Sequence, residues 1–221
     1  KRLLCMAGGV DLERVRDGYA VTADVHRAQF AADVVYNLPL WIDERVGLSP
    51  LALRARVRRW VASEKDAGLV VVDYLQLMAL GGRNENRPVE IAQISLALQA
   101  LAREVNLPVL VLSQLSRDAD KHEGGVPQLW HLRESGAIEQ DADLVVLMCK
   151  APVDEQGGDA DRVQLFVAKA RNGPTGRVDA VFRKGLQQFV GYGDRDEPPE
   201  VCGAFRAAIQ GELGVDDEDM D

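Results

Sequence analysis

The chain has 221 residues, which is enough for one large α/β domain or for one domain with a small appendage. Its hydrophobic content of 47% is that of a globular protein, and no apolar run reaches the roughly 18 residues of a membrane span. Its three cysteines are far apart in the sequence, form no C-x-x-C motif and cannot all pair with one another, which fits a reducing compartment.

The net charge of −9 at first argues against a nucleic-acid partner. The distribution of charge weakens that argument, because residues 194–221 hold ten of the 35 acidic residues and two of the 26 basic ones. The rest of the chain is close to neutral, so a local basic loop can still contact a phosphate backbone. The acidic segment 194–221 is predicted to be a disordered tail.

Residues 1–66 are predicted to be mainly helical. The pattern indicates helices over 11–16 and 22–36 and a short strand over 39–43. Thr22 is a candidate cap for the second helix. Ser49 and Pro50 predict a further helix start, since serine caps helices and proline favours the first helical position. The arginines along that helix are interpreted as a solvated face, with a contact to nucleic acid or to a subunit as the alternative.

The run LVVVDYLQLM, residues 69–78, is the most informative segment. Apolar residues lead directly into Asp73 without polar alternation, which predicts a strand buried on both faces of a parallel sheet. Ligands of open α/β sheets bind at the carboxyl edge, where Asp73 is placed to hold Mg²⁺ on a nucleotide. An aspartate that only caps a turn is the alternative. The 221 residues contain no G-x-x-x-x-G-K-[ST] phosphate loop, so the sequence holds part of an ATPase site.

Helices and strands alternate after this run. Pro88 opens a helix with apolar residues at three- and four-residue spacing, and four strands follow, over 109–112, 144–148, 163–168 and 178–182. The alternation predicts an α/β fold with a mainly parallel sheet flanked by helices. The last two strands are joined by a tight turn, which predicts an antiparallel edge.

Three polar residues follow predicted strands. Gln114 ends the strand after Asp73 at the same edge of the sheet, where an amide can sense a γ-phosphate or bind a water; a plain strand-end polar group is the alternative.

Lys169 and Arg171 share one side of a strand, because side chains alternate with a period of two. Two cations on one side suit a phosphate, and a solvent-facing basic pair is the alternative.

The segment HLRESGAIEQDAD, residues 131–143, precedes another buried strand. Arg133 and the backbone amides around Gly136 are suited to hold a phosphate of a nucleic-acid strand. A metal site built from His131 and Glu134 is disfavoured, because no second cluster of ligands completes it.

Four segments of the chain form a recognisable series: LVVVDYLQLM (69–78), VLVLSQLSR (109–117), LRESGAIEQDADLVVLM (132–148) and VAKARNGPTG (167–176). They occur in this order and at these distances in bacterial replicative DNA helicases of the DnaB family, which the chain resembles. The resemblance covers roughly residues 2–192. It implies a partial RecA-like ATPase domain over 1–193, helical over 1–66 and with the sheet core over 67–193. It also implies a hexameric ring around single-stranded DNA.

The resemblance also implies roles for individual residues. Asp73 matches the Walker B aspartate that acts on ATP and Mg²⁺, and Gln114 matches the residue that links the nucleotide site to the DNA loops. Lys169 and Arg171 match the basic pair that reaches the γ-phosphate in the neighbouring subunit.

A DNA loop and several partners are implied in the same way. Arg133, Glu134 and Gly136 match the loop that touches the DNA backbone. The implied partners are single-stranded DNA, identical subunits, a primase and a helicase loader, at the replication fork in the cytoplasm.

The chain departs from the family pattern at several places. The phosphate loop and the catalytic glutamate are expected upstream of Lys1, so we expect that the chain does not hydrolyse ATP alone. Leu96 and Gln99 stand where the family usually has basic residues. Two alternatives stay open: a non-catalytic ring subunit that donates Lys169 and Arg171 in trans, and another RecA-like recombination ATPase.

Overall fold

The computed structural model describes residues 1–64, 67–80, 86–116, 126–132, 136–151 and 161–193. Within these ranges the α-helices are α1 (Arg2–Gly8), α2 (Leu12–Asp17), α3 (Thr22–Tyr36), α4 (Pro50–Ser63), α5 (Arg87–Val105) and α6 (Gly136–Asp141). The β-strands are β1 (Val70–Val72), β2 (Val109–Val111), β3 (Leu144–Lys150), β4 (Arg162–Ala170), β5 (Gly176–Arg183) and β6 (Gln188–Gly191). Two 3₁₀ turns cover Leu75–Leu77 and Leu129–His131. No helix in these ranges is both long and apolar enough to cross a membrane.

The chain divides into two compact units. The first unit contains residues 1–42 and the described parts of 153–164 and 179–221. The second contains the described parts of 43–152 together with 165–178. Strands β4 and β5 each have residues in both units.

Helix α2 of the first unit begins and ends as its sequence predicts. The Asp11 carboxylate accepts hydrogen bonds from the amides of Glu13 at 2.8 Å and Arg14 at 3.1 Å, which satisfies two of the unpaired donors at the helix start. Gly18 ends the helix with a φ of 82°, a conformation in which glycine has no steric cost.

Helix α3 is capped by a residue inside it, so the prediction of Thr22 as the cap is wrong. The Asp24 carboxylate accepts from the Val21 amide at 3.2 Å and from Arg27 Nη2 at 2.6 Å. The Asp24 side chain is only 2% exposed. Burial alone would raise the pKa of Asp24, but the two hydrogen bonds and the positive charges of Arg27 and Arg14 together outweigh burial and hold this pKa below its usual value.

Strands β5 and β6 form an antiparallel hairpin in which Phe182 lies opposite Phe189, with ring centroids 4.6 Å apart. Strand β6 was not predicted from the sequence. In the hairpin turn, the Gly185 carbonyl accepts from the Leu12 amide at 2.7 Å. A Cβ at Gly185 would lie 2.5 Å from Asp11 Oδ2, so any larger residue would displace the Asp11 carboxylate.

The core of the second unit is a parallel strand pair covered by two helices. β1 and β2 pair with Val70 opposite Val109 and Val72 opposite Val111. Ile91, Ile94 and Leu98 of α5 are buried in one cluster with residues of the turn after β1, and Val57 of α4 is buried against Val70 and Leu101. Helix α4 starts at the predicted position, with Ser49 Oγ accepting from the Ala52 amide at 3.2 Å.

The prediction that the strand after residue 69 is buried on both faces is wrong for the described residues. Val71 and Leu110 are neighbours in the parallel register, and each is 54% exposed. Helices α4 and α5 pack against the face of Val70 and Val72, and the described residues do not cover the opposite face.

The prediction of a strand over residues 39–43 is also wrong, because these residues have no regular secondary structure. Trp41 is 66% exposed and Ile42 is 67% exposed. An apolar run of this length becomes a strand only when a neighbouring strand pairs with it, and the described residues provide no such pairing.

Two sheets result from these elements, so the α/β prediction is confirmed. One has the order β1-β2 and is parallel; the other has the order β3-β4-β5-β6 and ends in the antiparallel hairpin. Along β3 burial alternates, with Val145 and Leu147 packed in a cluster with Leu132.

Candidate nucleotide and DNA site

Asp73 and Gln114 follow neighbouring parallel strands and are both exposed. The Leu112 amide donates to the Val72 carbonyl at 3.0 Å, and the Leu75 amide donates to the Leu112 carbonyl at 2.9 Å. These bonds extend the ladder past the ends of β1 and β2, so both polar residues stand at one carboxyl edge, as the sequence predicts. The peptide bond between Asp73 and Tyr74 is cis.

Gln76, which the sequence analysis missed, joins the two strand ends. Its Nε2 donates to Ser113 Oγ at 3.1 Å and to the Gln114 carbonyl at 3.4 Å, and its Oε1 accepts from the Gln114 amide at 3.3 Å. The Gln76 side chain therefore binds both backbone groups of Gln114. The available signal was a lone polar residue in the otherwise apolar run that follows Asp73.

The turn that carries Gln76 is held by Arg87 at the start of α5. Arg87 Nη2 donates to the Gln76 carbonyl at 2.7 Å, and Arg87 Nη1 pairs with Glu90 at 2.5 Å. Glu90 also accepts from the Leu80 amide at 3.0 Å. The hydrogen bond from the Leu80 amide is the largest cause that lowers the pKa of Glu90 below its usual value, and the hydrogen bond from Arg87 is the second. This carboxylate is therefore charged at neutral pH.

A cavity of about 380 Å³ lies between the Gln114 strand end and the segments beside the predicted DNA loop. Its lining includes Gln76, Gln114, Leu132 and Ile138. The Ser116 amide also donates to the His131 carbonyl at 3.0 Å. The strand end and the segment before the loop are thus connected directly.

The predicted DNA loop is only partly described. Arg133 and Glu134 lie outside the described residues, and Gly136 is the first residue of α6. A Cβ at Gly136 would meet no described atom within 4 Å, so crowding does not require glycine there. His131 Nδ1 accepts from the Gln128 amide at 2.7 Å, so this nitrogen of the disfavoured metal-ligand candidate already has a hydrogen bond.

Helix α6 is anchored to α5 through Asp141. Ser95 Oγ donates to Asp141 Oδ2 at 2.7 Å, and Gln99 Nε2 donates to the Asp141 carbonyl at 2.6 Å. Gln99, one of the two departures from the family pattern, therefore holds the end of α6, whereas Leu96 is exposed.

Lys169 and Arg171 both contact the C-terminal end of α6. Lys169 Nζ donates to the carbonyls of Glu139 and Gln140, the latter at 3.3 Å. Arg171 Nη1 pairs with Asp143 Oδ1 at 2.6 Å, and the Arg171 amide donates to the Asp143 carbonyl at 2.8 Å. The predicted basic pair does converge on one place, and an open cavity of about 310 Å³ lies beside Arg171 and Asp143.

The described ranges contain no group of three or more potential metal ligands, so within them Asp73 does not belong to a metal site built from protein side chains alone. Mg²⁺ often binds through one or two carboxylates together with substrate phosphates. One strand-end carboxylate therefore fits a magnesium ion carried by a nucleotide.

A parallel pair of strands backed by helices, with an aspartate and a glutamine at one carboxyl edge, fits the RecA-like ATPase fold that the sequence resemblance implies. The family described as the DnaB-like helicase C terminal domain matches residues 1–191, and the chain belongs to that family.

Curated relatives are replicative DNA helicases. DnaB of Geobacillus stearothermophilus is 35% identical over 202 residues, which cover 90% of this chain and 44% of that protein. DnaB of Pasteurella multocida is 39% identical over 191 residues, which cover 85% of this chain and 41% of that protein. The chain thus spans less than half the length of these relatives.

Solved structures have the same fold. A structure described as a DnaB-like replicative helicase and its interactions with primase aligns with a TM-score of 0.80 and 30% identity, covering 86% of this chain and 46% of that one. A solved ATPase domain aligns with a TM-score of 0.79 and 31% identity, covering 86% of this chain and 68% of that one.

Proposed function

We propose that the chain is the C-terminal part of a replicative DNA helicase, in which a hexameric ring couples ATP hydrolysis to movement along single-stranded DNA and unwinds duplex at the fork. Residues 1–193 form the ATPase portion in this proposal, and residues 194–221 form an acidic tail. The proposal rests mainly on one observation: the strand end of Gln114 and the segment before the DNA loop share a hydrogen bond and a cavity.

The nucleotide role belongs to the carboxyl edge of β1 and β2. Mg²⁺ on a bound ATP neutralises phosphate charge. Asp73 is suited to orient that ion, because its carboxylate is exposed at the strand end. Gln114 is suited to respond to the γ-phosphate, because Gln76 fixes its backbone on both the donor and the acceptor side.

The phosphate loop is proposed to come from sequence outside these 221 residues, which contain no such motif. Without it, the backbone amides and the lysine that hold the phosphates are missing, and phosphoryl transfer depends chiefly on that positioning. The chain alone is therefore expected not to hydrolyse ATP.

Lys169 and Arg171 are proposed to act on the nucleotide of the neighbouring subunit. The Arg171 side chain is 47% exposed, so it is accessible to a neighbour. A cation supplied in trans stabilises the charge that develops in phosphoryl transfer, and it is worth roughly 10³–10⁵ in rate where such residues act.

The DNA role is proposed for Arg133, Glu134 and Gly136, directly before and at the start of α6. Contacts of this kind go to the sugar–phosphate backbone and do not read base sequence. The proposed partners are single-stranded DNA, identical subunits, a primase and a helicase loader, with ATP and Mg²⁺ as cofactors, at the replication fork in the cytoplasm. One solved relative is described with primase.

The test compares the 221-residue chain with a helicase subunit that contains this chain and a phosphate loop. Magnesium-dependent ATP hydrolysis, stimulated by single-stranded DNA, is expected only from the second protein. Lys169→Ala and Arg171→Ala in that protein should each lower kcat by about 10³-fold or more. Turnover by the chain alone, or full activity of both variants, would contradict the proposal.

A second candidate is a non-catalytic ring subunit that donates its basic pair to phosphate-loop-bearing neighbours. The exposure of Arg171 favours it as well. Rings assembled from this chain and a second subunit separate the two proposals. The second subunit has a phosphate loop but lacks its own basic pair, and the second candidate requires that the chain restore ATP hydrolysis to it. The recombination-ATPase alternative has no support from the family match, which is to a helicase family.

A further inference from the structure

We propose that Asp143 is a positioning residue, which aims Arg171 at the neighbouring nucleotide and ties it to the helix that follows the DNA loop. This inference rests on the proposed function of Arg171 in trans. Its consequence is that both trans cations are held by one short element, α6 with Asp143.

The first argument is the geometry of Arg171. Asp143 holds it twice, through the side-chain pair at 2.6 Å and through the backbone bond at 2.8 Å. Nη1 donates to Asp143 Oδ1, and Nη2 donates to the Gln140 carbonyl at 3.5 Å. Contacts to described residues therefore use one N–H of each of these two nitrogens. A guanidinium has five N–H donors, so the remainder can bind a phosphate while Asp143 stays bound.

The second argument is the position of Lys169. Its ammonium contacts the carbonyls of Glu139 and Gln140, which are among the carbonyls left unpaired at the end of α6. The C-terminal end of a helix carries partial negative charge, which attracts a cation. Both cations of the pair are therefore fixed to one helix end.

The third argument is the rigidity of α6. Ser95 and Gln99 of α5 donate hydrogen bonds to Asp141, and Ile138 packs against the buried residues of two clusters. Residues 133–135 directly precede α6. Because these residues adjoin α6 in the sequence, we propose that DNA binding is communicated to Lys169 and Arg171 through α6.

A purely stabilising role explains Asp143 less well. Its side chain is 69% exposed and that of Arg171 is 47% exposed. Ion pairs this exposed contribute little to stability, because water and salt screen them. The pair lies at the edge of the open cavity of about 310 Å³, where an incoming phosphate would meet Arg171.

The experiment uses the phosphate-loop-bearing subunit that contains this chain, with Asp143→Asn, Asp143→Glu and the control Asp43→Asn. Asp43 pairs with Arg45 at 2.8 Å and with Arg56 at 3.0 Å, also at the surface and in the same unit. Asp143→Asn should lower the DNA-stimulated kcat by about 10- to 100-fold, the loss expected when a catalytic group is displaced by about 1 Å. KM for ATP should change less than about threefold, because binding in the ground state is not affected.

Further readouts decide between positioning and structure. Asp143→Glu should recover most of kcat, and the ratio of DNA-stimulated to basal rate should fall in Asp143→Asn but not in Asp43→Asn. An unchanged kcat in Asp143→Asn overturns the inference. So does an equal loss in Asp143→Asn and Asp143→Glu with a lowered thermal midpoint in both. If Arg171→Ala itself leaves kcat unchanged, the proposed function fails instead.

Discussion

Replacing Gln76 by alanine should separate stability from DNA-stimulated activity. The change removes three hydrogen bonds of 3.1 to 3.4 Å between the turn after β1 and the end of β2. These bonds are long and two of the three are exposed, so each contributes at the low end of about 0.5–1.5 kcal/mol. The expected loss is about 1–2 kcal/mol, or a thermal midpoint lower by about 2–8 °C in the 221-residue chain.

The functional loss should be larger than this stability loss suggests. Without Gln76, the Gln114 backbone has lost both of its side-chain contacts, and a catalytic arrangement that shifts by about 1 Å can lose about 10²-fold in rate. We therefore expect DNA stimulation of ATP hydrolysis to fall at least tenfold in the phosphate-loop-bearing subunit, under conditions where the protein is fully folded.

Gln93→Ala is the matched control, since Gln93 lies on the exposed side of α5 in the same unit. It should leave both the thermal midpoint and DNA stimulation unchanged. Gln76→Glu keeps the acceptor for the Gln114 amide and should retain part of the stimulation. A Gln76→Ala enzyme with normal stimulation by DNA would refute the assignment of Gln76 as the link between the strand ends.

Three further outcomes are expected. Asp24→Asn should destabilise the chain by about 1–2 kcal/mol in urea unfolding at pH 7. Because the pKa of Asp24 is lowered by folding, its contribution is complete above the ordinary value of 3.8 and is lost as the pH falls below it, so wild type and variant should converge in acid. Gly185→Ala should lower stability by about 0.5–2 kcal/mol, since the new Cβ displaces the Asp11 cap, and the loss should not add to that of Asp11→Ala. Arg133→Ala should weaken binding of single-stranded DNA without base preference and reduce the salt slope by about 0.7 in a titration, whereas an unchanged slope would remove Arg133 from the DNA contact.

Local signals in the sequence were sufficient to predict features in which a residue acts on the backbone next to it. Ser49 and Pro50 start α4 as expected, because a cap and a helix-compatible φ are properties of adjacent residues. Asp73 and Gln114 were placed at one edge because parallel strands end at the same side of a sheet. The DnaB-family resemblance, drawn from motifs at fixed distances, was confirmed by the match over residues 1–191.

Long-range contacts could not be read from the same signals. Nothing near Gln76 in the sequence shows that its amide meets Gln114, which is 38 residues away. Lys169 and Arg171 were expected together, but their contact with the end of α6 depends on packing between distant segments. The strand expected over 39–43 was wrong for the same reason, because strand formation depends on a pairing partner and not on the run itself.

The face of the parallel strand pair that carries Val71 and Leu110 has a practical consequence for work with the isolated chain. Apolar side chains exposed side by side on adjacent strands attract other apolar surfaces in solution. Concentrated preparations of the 221 residues should therefore self-associate and bind hydrophobic dyes, and low protein concentration or mild detergent should reduce both effects. Polar substitutions at Val71 and Leu110 would improve handling without touching Asp73, Gln114 or the end of α6.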